Sequence, residues 1–468
     1  MTDTTIRLAV TGALVAATLV WVSPARGQGG APDGEWKFYA GDGGHTQYTG
    51  LDQIDRSNAG ELQVAWRWQA ENSADRPFYN FESTPIMIGG VLYTSTGETR
   101  WLFTPQPKAG AESDPARRPQ RSGRGVACWT DGDQETIFHN VSDGRLLALD
   151  ATTGLPRAGF GDGGYVDLSQ NIDKPGAEVR CISTPIVSND VAVAQVVPGE
   201  PLSPTQPIPS RPAPFDRQGF TIDDLIDFTP EIRAEAMEIA ANYRMGPLYT
   251  PPSLINDPSG TKGTLVLPGW GGGSSWPGAG VDVEEGILFV PSLTIPVVVS
   301  LAPGEPGGTN PDYMRVGPIY PPGPRGLPLV KPPWGRITAI DLSTGDHLWS
   351  RPLGGAPREV REHPDLQGLG LDFSTMGQNG RPGALVTKTL LFMGEGGGVR
   401  SGVASLFGAG GPTFRAYDKR NGEVVAEIVL PANPTAAPMS YMVDGTQYIT
   451  VAAATLESPA ELIAIALS

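Results

Sequence analysis

Apolar and polar positions alternate over short stretches of this chain, and the stretches come in pairs. Residues 83–95 (STPIMIGGVLYTS), 183–197 (STPIVSNDVAVAQVV), 278–292 (GAGVDVEEGILFVPS), 381–395 (RPGALVTKTLLFMGE) and 437–454 (APMSYMVDGTQYITVAAA) each hold two apolar runs around a short polar break. That pattern predicts a β-hairpin. A second phrase recurs as RLLALDATTG at 145–154, RITAIDLSTGDHLW at 336–349 and FRAYDKRNGE at 414–423. In each, a strand ends on an Asp (Asp150, Asp341, Asp418). A turn carrying a Gly (Gly154, Gly345, Gly422) leads into the next strand. Glycine accepts positive φ there, and the Asp side chain can cap the turn's N–H groups. A fragment of the phrase, TGETRW, stands at 96–101.

A hairpin followed by this phrase makes a four-stranded antiparallel sheet. Copies of such a sheet bury both faces only by stacking, and closing the stack into a ring removes its exposed edges. The expected fold is therefore all-β, a β-propeller of about five blades or an incomplete ring. Residues 461–467 (ELIAIAL) read as a third strand lacking its continuation, and 61–68 (ELQVAWRW) as a fourth strand lacking predecessors. Together they predict one composite blade built from both ends of the chain.

Two stretches interrupt the repeat. Residues 198–214 form a Pro-rich extended linker. Residues 221–243 read as helical, with a weak cap at Thr221 and Asp224 and a better start at Thr229-Pro230-Glu231. Ile232, Ala236, Ile239 and Tyr243 follow at helical spacing. This helix is expected to cover the outside of the ring, and the Gly/Pro-rich run 302–334 to be a long surface loop.

Composition changes this picture little. The 61 Gly and 46 Pro of 468 residues fit a turn-rich fold, and 10 Trp, 12 Tyr and 39% apolar residues supply a core. The net charge of −16 argues against a nucleic-acid partner. Residues 1–27 read as a signal peptide: Arg7, an apolar run from Leu8 to Val22, then Ala25-Arg26-Gly27 as a cleavage site. As a helix the run spans about 22 Å, short of a ~30 Å hydrocarbon core. A periplasmic protein is expected, with an uncleaved anchor as the alternative. Residues 28–468 are then a single propeller domain carrying the 198–243 insertion. Cys128 and Cys181 can pair or remain two separate thiols, and no CxxCH attaches a haem.

Longer strings carry a sharper message. Residues 36–68 (WKFYAGDGGHTQYTGLDQIDRSNAGELQVAWRW), 122–132 (SGRGVACWTDG), 204–220 (PTQPIPSRPAPFDRQGF), 267–282 (LPGWGGGSSWPGAGVD) and 381–396 (RPGALVTKTLLFMGEG) resemble the pyrroloquinoline quinone (PQQ)-dependent dehydrogenases of sugars and alcohols. The membrane-bound glucose dehydrogenase-like branch is the nearest, and the resemblance spans nearly all of 35–468. It implies oxidation of an aldose or alcohol hydroxyl. A carboxylate takes the hydroxyl proton, hydride passes to PQQ polarised by Ca²⁺, and electrons leave to a quinone or other external acceptor. Arg124 matches the family's Arg against the quinone, with a surface Arg as the alternative. Ser275-Trp276 stands where the family has Asn-Trp; Trp276 reads equally as a core aromatic.

One departure is large. The family carries further blades between the strand matching 183–194 and the Pro-rich linker. They hold the aromatic floor of the quinone, the Ca²⁺ ligands and the catalytic Asp. Here Val191-Ala192-Val193-Ala194 runs almost directly into Pro198, so about three of eight blades have no counterpart and the catalytic and metal residues are unknown. Glu200, Asp282 and Glu395 are unranked acid candidates. A non-catalytic binding propeller, or an incomplete version of a longer enzyme, are the competing expectations.

Overall fold

The computed structural model describes residues 29–32, 34–69, 81–94, 103, 125–130, 134–141, 143–168, 186–188, 191–193, 211–248, 250, 252–255, 260–269, 273–303, 313–397, 410–455 and 460–468. The expected signal segment, the TGETRW fragment, Arg124, Cys181, Glu200 and most of the Pro-rich linker lie outside these residues.

Four antiparallel four-stranded blades dominate, one of them, the late blade, extended to a fifth strand by the parallel pairing of Tyr48–Thr49. The early blade comprises Ala127–Thr130, Glu135–Val141, Arg145–Asp150 and Tyr165–Asp167. The middle blade comprises Gly280–Asp282, Ile287–Leu293, Gly335–Asp341 and His347–Pro352. The late blade comprises Ala384–Thr387, Leu390–Gly394, Thr413–Asp418 and Val424–Val429. In the closing blade, Met439–Val443, Thr446–Ala453 and Glu461–Leu467 are completed by Leu62–Gln69 from the other end of the chain. Leu62 lies opposite Leu467, and Gln69 opposite Glu461. The composite blade expected from the sequence is therefore present. Two-stranded hairpins at Ile86–Ile88/Val91–Tyr93 and Ile186–Ser188/Val191–Val193 complete the series.

The recurring phrase forms the same turn each time. Asp150 Oδ1 accepts from the N–H groups of Thr152 and Thr153, and Asp341 Oδ1 from those of Ser343 and Thr344. Gly154, Gly345 and Gly422 all have φ near +70°. Asp282 makes a fourth such turn, capping Glu284 and Glu285.

Burial follows from stacking. In the late blade the second strand, LLFMG, is buried at every position, whereas the outer strand alternates. An inner strand is sandwiched by neighbouring blades on both faces, so it loses the polar alternation of a half-wet strand. One core joins the late and closing blades through Leu385, Phe392, Phe414, Met439, Ile449 and Ile463. Another joins the middle and late blades through Phe289, Ile337, Val386 and Tyr417. Met87 belongs to the first of these cores. Its neighbours Ile86 and Ile88 pack on Ile137, Leu147 and Leu149 of the early blade.

Residues 30–49 thread the hub of this stack. Trp36 bridges Met87, and Gly34 accepts the Met442 N–H at 2.7 Å. The carbonyl of Thr46 takes the Val281 N–H, and that of Gln47 the Val386 N–H, each at 2.8 Å. The first strands of one hairpin and three blades thus offer their free edges to one segment, which defines the axis.

An accessory sheet of Ser253–Leu254, Thr264–Val266, Val297–Pro303 and Tyr313–Val316 stands apart from the blades. The helix Pro230–Ala240 packs beside it, with Thr229 accepting the Ile232 N–H at 3.2 Å. Ile232, Ala236 and Ala240 meet Leu265, Val298, Leu327, Leu329 and Trp334 in one core. The expectation of a surface loop at 302–334 is corrected here. Its Gly and Pro residues turn the chain, but Leu327, Leu329, Val330 and Trp334 are at most 2% exposed.

Candidate functional site

The axis has two unlike ends. Residues 34–49 meet the first strands at Met87 and Val281, the middle residues of their strands, and at Val386 and Met442, nearer the ends of theirs. The starts of those strands lie on the other side of this segment, and Gln47 reaches them through its Nε2, which donates to the Pro277 carbonyl at 2.9 Å. The starts touch one another: Thr84 Oγ1 donates to the Ala437 carbonyl at 3.0 Å, and Thr435 Oγ1 donates to the Phe81 carbonyl. A Cβ on Gly383 would lie 2.4 Å from Ala437 Cα, and one on Gly280 3.2 Å from Ala384 Cβ. This ring of strand starts, at 81–84, 276–280, 378–383 and 433–437, is the mouth.

Trp276 reaches it. It packs against the cluster that contains Phe81, Ala436, Ala454 and Leu462, none of which belongs to its own blade. Ser275, half-buried beside it, closes the turn by accepting the Gly278 N–H at 3.0 Å. The structure thus brings Ser275 and Trp276 to the mouth. Arg124 lies outside the described residues; Gly125 and Val126 lead into the early blade. Beside them is His139, whose pKa is lowered by burial despite a hydrogen bond with Gly125. Its Nδ1 has no partner.

The candidate acids separate. Asp282 is fully buried at the plugged end, in an ion pair with Lys419, whose ammonium also donates to the carbonyls of Thr387 and Lys388. It caps a turn and clamps two blades. Glu395, after the second strand of the late blade, is at the mouth. Arg415 Nη1 sits 2.7 Å from its Oε1. Glu461, fully buried at the same end, is held by Arg67 at 2.7 and 2.9 Å.

Sequence reasoning missed the most unusual group. Gln378, Asn379 and Arg381 form the loop entering the late blade. Gln378 is 5% and Asn379 1% exposed. Asn379 Nδ2 and Oδ1, Gln378 Oε1 and Arg381 Nε all lack a hydrogen-bond partner. Each such buried group costs about 1–3 kcal/mol, and native folds leave few without a reason. In the sequence the group reads QNGR, separated from the strand ALVT by Pro382-Gly383.

Stacked sheets with capped turns around a threaded axis define a β-propeller. The family model described as "PQQ: Glucose/ethanol/alcohol dehydrogenase, beta-propeller domain" matches residues 36–196 and 184–449. The chain belongs to that family. It is 29% identical over 228 residues to the quinoprotein glucose dehydrogenase of Escherichia coli (strain K12), covering 44% of this chain and 25% of that protein. It is 28% identical over 290 residues to the glycerol dehydrogenase large subunit of Gluconobacter oxydans (strain 621H), covering 55% and 35%. The chain thus spans only about a quarter to a third of these relatives. The quinohemoprotein alcohol dehydrogenase from Comamonas testosteroni has the same fold, with TM-score 0.55, 15% identity and coverage of 93% of this chain and 80% of that one.

PQQ fits this mouth in part. Trp276 offers an aromatic surface and Ser275 a hydroxyl, and the unpartnered N–H groups of Asn379 and Arg381 are donors of the kind that carboxylates and carbonyls require. Among the described residues no three His, Cys, Asp or Glu side chains converge to hold a Ca²⁺ ion.

Proposed function

We propose that this chain is the propeller of an exported, periplasmic quinoprotein dehydrogenase that oxidises an aldose or alcohol hydroxyl. The family match over residues 36–449 supports this reading most strongly. Residues 28–468 act as one propeller carrying the 198–243 insertion. Bound PQQ supplies a two-electron acceptor for hydride, discharged afterwards to a quinone or other external acceptor. In this reading Trp276 stacks the quinone, Ser275 hydrogen-bonds its edge and Arg124 pairs with a carboxylate. The plug at 30–49 closes one end, so substrate enters at the other. Of the acids now placed, Glu395 lies at the mouth, but its Oε1 is engaged by Arg415, which leaves Oε2 as the oxygen for a substrate proton.

One observation favours a second reading, a quinone- or sugar-binding propeller without turnover. The mouth acids Glu395 and Glu461 both face guanidinium groups, and general-base catalysis is typically worth ~10²–10⁴ in rate. A titration separates the readings. Under the first, PQQ raises the melting temperature and glucose, glycerol or ethanol then drives dye reduction. A melting rise without dye reduction favours the second reading. No rise at saturating PQQ rejects the quinone site altogether, because a ligand of the native state must stabilise it.

A further inference from the structure

Each blade ends on an outer strand with no described strand beyond it, and these edges are guarded unequally. The outer strand of the closing blade shows Gln63, Arg67 and Gln69 to solvent. That of the middle blade shows His347, Ser350 and Arg351. The early blade's, Tyr165–Asp167, is only three residues long. Charge and shortness are ordinary protections of a sheet edge. The late blade's Val424–Val429 has neither. Val424 is 49% and Val429 73% exposed, the latter more than any other large apolar side chain among the described residues. The strand's one charge, Glu427, is spent on Arg415 of the neighbouring strand.

The hydrogen-bonding direction of this edge is fixed. The Leu430 N–H turns inward to the Pro412 carbonyl at 2.9 Å, continuing the register that pairs Ile428 with Phe414. Direction alternates along an antiparallel strand. Glu427 and Val429 therefore point their N–H and C=O groups outward, where no described backbone group meets them. Val425, further back, is skipped by the register and forms a bulge.

We infer that this edge pairs with the same edge of a second copy of the chain, antiparallel across a two-fold axis at Ile428. Glu427 then lies opposite Val429 of the second copy, and each such pair exchanges both of its backbone hydrogen bonds. Centring on Glu427 instead would oppose two like charges, which destabilises a sheet. Centring on Ala426 would run the pairing through the bulge. The two late blades become one continuous sheet, and Val429 leaves solvent. The pairing needs neither quinone nor substrate. The patch is self-complementary and small, so association should depend on concentration.

Sedimentation velocity on the full chain reads the dimer, and amide hydrogen exchange at low and high concentration reads the edge. The parent should pass from monomer to dimer as concentration rises, with exchange at Glu427 and Val429 slowing in step. Val429→Glu sets an acid opposite Glu427 of the second copy. It should weaken the dimer about tenfold, because the two-fold axis repeats the clash. Val429→Lys meets the same acid with a cation and should dimerise at least as tightly as the parent. Position 429 is exposed, so both variants should fold, and the urea midpoint checks this. A parent that stays monomeric at every concentration overturns the inference. So does a dimer that leaves exchange at Glu427 and Val429 unchanged. Loss of the dimer in both variants, or in neither, overturns it as well, since the sign of the added charge would then not matter.

Discussion

The two ends of the axis are built from the same strands and differ in how completely their polar groups are satisfied. At the plugged end, Asp42 accepts from the backbone of Gly30, Gly44 and Thr46, and Tyr48 donates to Glu284 at 2.6 Å. Lys419 meets Asp282 and two carbonyls there. At the mouth, four polar atoms of one loop have no partner. In the plug Thr46 Oγ1 and Gln47 Oε1 also lack partners, so the contrast is one of degree: the threaded end pairs most of its polar groups and the loop at the other end few. Damage should therefore be severe at the first and mild at the second.

Trp36 gives the largest expected effect. Its side chain is fully buried, and its backbone pairs with Met87 in both directions, at 3.1 and 2.9 Å. Trp36→Ala removes a large ring from the hub and should cost about 3–5 kcal/mol, read as a shift of the urea midpoint. A loss below about 1 kcal/mol would mean that the segment does not hold the blades together.

Lys419→Met comes next, at about 3 kcal/mol, because Asp282 is then left buried without its cation. The double variant Asp282→Leu/Lys419→Met should recover most of the loss. A double variant as unstable as the single one would show that the carbonyl contacts of Lys419 matter more than the pair.

The late blade's outer turn supplies a smaller, pH-dependent effect. Arg420, through its side chain and its backbone N–H, and Arg56 hold the Asp418 pKa at about 2, against an ordinary 3.8. A folded pKa below the unfolded one stabilises above the unfolded value and is lost on acidification. The contribution should be complete above about pH 4 and fade towards pH 2. With both arginines largely in water it amounts to about 1–2 kcal/mol. Asp418→Asn should flatten that part of the stability profile, and an unchanged profile would remove Asp418 as its cause.

The plugged end and the blades were unequally legible. Hairpin pairs, Asp-capped turns at Asp150, Asp341 and Asp418, and the closing of 62–69 on 461–467 follow from period-2 alternation and turn chemistry, which are local. The Thr229-Pro230 helix start is local as well. The hub segment was not legible as a plug, because backbone hydrogen bonds to four different sheets fix it and backbone groups leave no side-chain signature. Residues 302–334 misled because Gly and Pro read as loop, while Leu327, Leu329 and Trp334 are buried by a helix nearly a hundred residues earlier. At the mouth, Trp276 was singled out through resemblance. Asn379 was not, since an orphaned amide is defined by what fails to surround it.

Asn379→Leu gives the smallest stability effect, and it carries the contrast between the two ends. Leucine is close to asparagine in size and brings no group that must be solvated. Where a buried amide makes no hydrogen bond, replacing it by an apolar side chain of similar shape is nearly neutral or stabilising. The midpoint should therefore stay within about 1 kcal/mol of the parent, or rise. Gln447 offers the control: its Oε1 accepts the Ile54 N–H at 3.1 Å and its Nε2 donates to Ser440 at 3.1 Å. Gln447→Leu breaks both bonds and should lose about 2 kcal/mol. Measured side by side in urea, the two variants compare an idle amide with an employed one. Equal losses would mean that Asn379 is held by partners after all, and the two ends of the axis would no longer differ in this way.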